Sequence, residues 1–108
     1  MSNIKSRRRK SLLDMKILEE RLERYLLLTK DAIDKVKISK EKQINWKESA
    51  EDFLDMAKRY LSDAVYFKKK GDFVRAFACV NYAHGWLDAG ARLGLFDVGK
   101  DNRLFSVD

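Results

Sequence analysis

A chain of 108 residues with 45% hydrophobic and 37% charged side chains has the length of one globular domain and is too apolar to be disordered. One cysteine excludes an internal disulfide framework, no run approaches the roughly 18 apolar residues of a membrane span, and the basic N-terminus lacks the apolar stretch of a secretory signal, so the composition points to a cytoplasmic protein with no membrane contact. The net charge of +6 is concentrated in residues 1–10, where Lys5, Arg7, Arg8, Arg9 and Lys10 meet no acidic residue; the rest of the chain holds 18 basic and 17 acidic side chains and is nearly neutral toward phosphate.

In chain order, residues 1–10 read as a basic flexible tail, 11–97 as a single helical-bundle domain and 98–108 as a C-terminal tail. The first helix is expected from about Ser11 to about Ile38. Met15, Leu18, Leu22, Tyr25, Thr29, Ala32 and Val36 recur at spacings of three and four, with Leu12, Leu26 and Ile33 widening the stripe. That pattern is the apolar face of an amphipathic helix, and the acids and bases opposite suit pairing in water.

A charged connector, Ser39 to Gln43, leads to Asn45, an N-cap with Glu48 in the capping-box position. The second helix then runs to about Lys70 on a seven-residue period. Ala50, Ala57 and Ala64 form one row, and Phe53, Tyr60 and Phe67 another. A sustained heptad keeps one seam toward a partner helix, and the alanine row lets that helix come close. Lys68, Lys69 and Lys70 suit the negative end of the helix dipole, Gly71 can take the left-handed conformation that ends a helix, and Asp72 can cap the next one. So short a turn makes the second and third helices antiparallel neighbours. The fold expected is therefore all-α, a three-helix bundle around a tight hairpin at Gly71–Asp72.

The third helix, about Phe73 to Leu93, is apolar on two sides. Phe73, Ala76, Phe77, Val80, Ala83, Leu87 and Ala91 form one face, while Cys79, Tyr82, Trp86, Ala89 and Leu93 form a second. A helix of this kind is either central or offers one face to something outside. With the first face assigned to the bundle, Cys79, Tyr82, Trp86 and Leu93 become the candidate interface, for a second copy or another protein. Gly85 and Gly90 inside this helix cost about 1 kcal/mol each against alanine, which close approach by another helix would offset. Gly94 ends the helix, and Leu104, Phe105 and Val107 in the last segment have the character to lie back over the domain.

Little in the chain suggests chemistry. His84 is the sole histidine, with Asp88 at i+4 and Asn81 and Arg92 on the same polar stripe. A carboxylate can orient an imidazole, and a small-ligand or metal site around Asn81, His84 and Asp88 is one alternative function. A zinc site needs three or four ligands, which this spacing does not supply, so the plain reading is a boundary histidine, with no metal and no cofactor. Cys79 has no base near it in sequence and reads as an inert thiol. No phosphate-binding glycine loop, nucleophile elbow or calcium loop is present in the sequence. The cluster Arg7, Arg8, Arg9 and Lys10 could make weak, salt-sensitive phosphate contacts, which gives a nucleic-acid-associated alternative. The leading expectation is a non-enzymatic interaction or oligomerisation module.

The hairpin Ala64 to Ala83 is similar to one tetratricopeptide unit at Ala64, Phe67, Gly71, Phe73, Ala76 and Ala83, but no second copy follows at that repeat's period. The gap between Arg75 and His84 is longer than that of the ribonuclease domains in toxin systems. A closer match covers residues 46–97, where the motif YAHGWLDAGxRLGLF, here Tyr82 to Phe96, resembles an archaeal family of small helical domains of unknown function. The resemblance implies a compact cytosolic helical bundle with no assigned activity, and leaves the first helix outside the matched part.

Overall fold

In the computed structural model, which describes residues 2–105, the protein is all-α: α1 Ser2–Lys35, α2 Trp46–Lys69 and α3 Phe73–Leu93, with no strand among the described residues. Side chains are described for Arg9 and from Ser11 onward. The chain divides into two compact units, Met1–Glu41 and Lys42–Asp108, and the boundary falls in the connector, inside the span that the sequence predicts as one domain.

In the first unit α1 begins nine residues earlier than the apolar stripe suggests, so the backbone of residues 2–10 is helical where the sequence predicts a flexible tail. The physical reason is local. No glycine or proline interrupts residues 1–35, and arginine and lysine are good helix formers. At its other end α1 stops at Lys35, short of Ile38; Val36 still donates its N–H to the Ala32 carbonyl at 2.9 Å. At 34 residues the helix is about 51 Å long.

The second unit is the hairpin. Asn45 caps α2, its side-chain oxygen accepting from the Glu48 N–H at 3.0 Å. Both α2 and α3 end in the same arrangement. Gly71 and Gly94 take φ of 78° and 84°, the left-handed region open to glycine. Asp72 N–H then donates to the Phe67 carbonyl at 2.9 Å and Leu95 N–H to the Gly90 carbonyl at 2.8 Å, while Gly71 and Gly94 donate to Lys68 and Ala91. These are Schellman closures, which satisfy carbonyls the helix leaves open. Asp72 completes the end of α2 and also starts α3, accepting from the Arg75 N–H at 3.1 Å. One residue thus serves both helices and keeps the turn tight.

The seam between α2 and α3 is made of small residues. Ala57 and Ala64 are buried on α2, and Ala76, Ala83 and Gly90 on α3, each row stepping by seven. Aromatic rings fill one edge of the seam: Phe53 meets Trp86 edge-on at 4.9 Å between centroids, and Tyr60 meets Tyr82 at 4.3 Å. No large side chain among the described residues is fully buried. The hairpin core is correspondingly thin.

Candidate interaction surfaces

The structure turns α3 by part of a turn from the orientation expected of it. The seam runs between the two predicted faces, through Ala76, Cys79, Ala83, Trp86 and Gly90. The cause is the row Ala76, Ala83, Gly90, which matches Ala50, Ala57, Ala64 and lets the backbones approach. That row is present in the sequence at the same period as its partner in α2, and it is the signal that locates the seam.

This rotation redistributes the candidate interface residues. Trp86 and Cys79 are partly buried toward α2, and Trp86 has Phe53 on one side and Tyr82, 6.1 Å away, on the other. Tyr82 lies at the seam's edge, 50% exposed, and Leu93 is 53% exposed. The indole Nε1 of Trp86 is buried and meets no hydrogen-bond partner among the described residues. Burial holds the Cys79 thiol above its ordinary range, and the negative charges of Asp63 and Asp72 add to the effect. A thiol kept protonated is a poor nucleophile.

The opposite edge of the hairpin is apolar and uncovered within its own unit. Leu61, Val65, Phe73, Phe77 and Val80 are all exposed, Phe77 by 70%. Helical periodicity places Leu61 and Val65 on one flank of the α2 seam. In an antiparallel pair the adjoining flank of α3 is the one that carries Phe73, Phe77 and Val80. The apolar periodicity of α3 assigns those three to the core, and their exposure corrects it.

Of the polar stripe, His84 Nε2 and Asp88 Oδ1 stand 3.7 Å apart, with His84 exposed and Asp88 half-buried, while Asn81 and Arg92 are exposed. Among the described residues no group of three histidine, cysteine or acidic side chains comes together as metal ligands would. Gly90 does prove to be a point of close approach, but to the chain's own continuation. The Phe96 ring lies against it, and nothing stands within 4 Å of where a Cβ on Gly85 would be. Beyond α3, Leu95 is buried, and Asp101 accepts from the N–H groups of Arg103 and Leu104 at 3.0 Å, forming a turn in a segment whose sequence predicts no regular structure. Leu104 is exposed and Phe105 partly buried, while Val107 lies outside the described residues, as do the side chains of Arg7, Arg8 and Lys10.

Among the described residues α1 is the single element of the first unit. Its apolar stripe from Met15 to Val36 has no second helix of that unit against it. No described helix is long and apolar enough to cross a membrane.

These features account for most of the Tyr82–Phe96 motif in structural terms. Tyr82 and Trp86 pack on α2, Gly90 receives Phe96, and Gly94 and Leu95 close the helix. The family described as "Protein of unknown function (DUF357)" matches residues 24–96, and the chain belongs to it. The match starts within α1, further toward the N-terminus than the motif alone implies. No curated protein and no solved structure matches the chain.

Proposed function

We propose that this member of the DUF357 family is a non-enzymatic helical interaction module that acts as a homodimer in the cytoplasm, with α1 as its dimerisation element. The observation that carries the reading is the stripe on α1: Met15, Leu18, Leu22, Tyr25 and Ala32 share one helical face with Thr29, on the one helix of its unit among the described residues. An amphipathic helix gains most of its stability from burying such a face, since helical propensity alone is marginal. The thin, alanine-lined core of the hairpin supports the same conclusion, because a module of this size gains from burial against a second copy.

Sedimentation equilibrium of the full chain tests it. Wild type should sediment as a dimer. Leu22→Glu, which sets a charge in the middle of the stripe, should give a monomer whose Trp fluorescence keeps the hairpin's native signature. A wild-type monomer at high concentration, or a Leu22→Glu protein of unchanged mass, would overturn the proposal.

A further inference from the structure

The α1 stripe has a heptad register that chooses the direction in which a second copy lies. With Met15, Leu22, Thr29 and Val36 at a positions, Leu18, Tyr25 and Ala32 fall at d, Leu12, Glu19, Leu26 and Ile33 at e, and Asp14, Arg21, Leu28 and Lys35 at g. Two copies of such a helix can pair in parallel or antiparallel, and the two arrangements bring different side chains together.

In the parallel pair each residue of the seam meets its own copy. Tyr25 is then stacked on Tyr25 while Thr29 and Ala32 face themselves, so one layer is overfilled and the next two are left thin. The flanking g-to-e contacts set Asp14 against Glu19, like charges, twice by symmetry. In the antiparallel pair whose two-fold axis passes between Glu23 and Arg24, Met15 faces Ala32, Leu18 faces Thr29 and Leu22 faces Tyr25. Large side chains meet small ones in the outer layers, which fills them evenly. The flanks then set Asp14 against Lys35 and Leu12 against Ile33. Charge and volume point the same way.

We propose that α1 pairs antiparallel with α1 of a second copy, in the register that sets Asp14 of one chain beside Lys35 of the other. The inference rests on the homodimer reading and adds its geometry. It also sends the two connectors that follow Lys35 away from opposite ends of the paired segment, about 35 Å apart along the axis.

Cross-linking of the full chain in a Cys79→Ala background separates the possibilities. One mixture combines Asp14→Cys and Lys35→Cys chains, and a second combines Asp14→Cys and Glu19→Cys chains. Antiparallel pairing yields a mixed disulfide in the first mixture only, because in that register positions 14 and 19 of opposite chains lie about 21 Å apart along the axis. A parallel dimer yields it in the second mixture only, which would overturn the geometry and leave the homodimer standing. A dimer that cross-links in neither mixture would also overturn it, and a monomer would overturn both. In the antiparallel case Lys35→Glu should raise the dimer dissociation constant about three- to tenfold, the scale of two exposed pairs lost. Adding Asp14→Lys to the same chain should restore it.

Discussion

The ring of Phe96 lies on Gly90, occupying the space where any larger residue would place its Cβ. The contact joins the end of the fold to its middle. Gly94 reverses the chain in a left-handed turn, Leu95 is buried beneath it, and Phe96 returns to the bare backbone of α3 one turn earlier. A glycine inside a helix is ordinarily a cost, and here the ring against it supplies the offset.

The two internal glycines of α3 should therefore respond to alanine with opposite signs. Gly85→Ala meets open space and removes a flexible residue from a helix interior, so it should raise stability by about 0.5–1 kcal/mol. Gly90→Ala gains the same propensity but displaces an aromatic ring, and overpacking of that kind costs about 1–3 kcal/mol. Urea denaturation of both variants checks this. Equal effects at the two sites would mean that Phe96 does not hold its place against α3.

What the sequence reveals of the fold depends on which signals are local. Asn45, Gly71 and Asp72 act within five residues of themselves, and their caps and turn form where the residues indicate. The placement of the α3 seam is different, because two apolar faces compete and hydrophobicity does not rank them. Steric size decides: the Ala76–Ala83–Gly90 row permits close approach, whereas Phe73 and Phe77 would hold α2 away. The helical start of α1 escapes a periodicity argument for a related reason, since a polar stretch carries no periodic signal even where its propensity favours helix. His84 and Asp88 lie within reach of each other as their spacing indicates, because i,i+4 neighbours meet on any helix.

Cys79 gives the hairpin a pH dependence of definite sign. Its thiol holds its proton more tightly in the folded protein, through burial first and the charges of Asp63 and Asp72 second. Below the ordinary thiol range both states are protonated and the residue has no effect. As pH rises through that range the unfolded chain ionises first, so it binds fewer protons and stability falls, until the folded thiol ionises in turn. Wild type should lose stability above about pH 9 more steeply than Cys79→Ala. Parallel pH profiles for the two proteins would show that the thiol is not sheltered. Alkylation of native Cys79 at about pH 8 should also be several-fold slower than in urea.

The seam of the hairpin and its apolar flank differ in the cost of changing each. Ala57 is 5% exposed and sits in the alanine row against α3, whereas Phe77 is 70% exposed on the flank. Size alone suggests the reverse of what burial implies, since phenylalanine is the residue usually found in a core. Ala57→Leu adds bulk where the helices are closest, and nothing nearby can yield without parting the Phe53–Trp86 and Tyr60–Tyr82 contacts, so it should cost about 1–3 kcal/mol. Phe77→Ser removes a ring that gives the hairpin little burial and should change stability by no more than about 0.5 kcal/mol. Denaturation midpoints measured side by side, with helix content checked by circular dichroism, decide the matter. If Phe77→Ser proved the more damaging of the two, the face carrying Phe73, Phe77 and Val80 would be the core of the folded protein and the alanine seam would not.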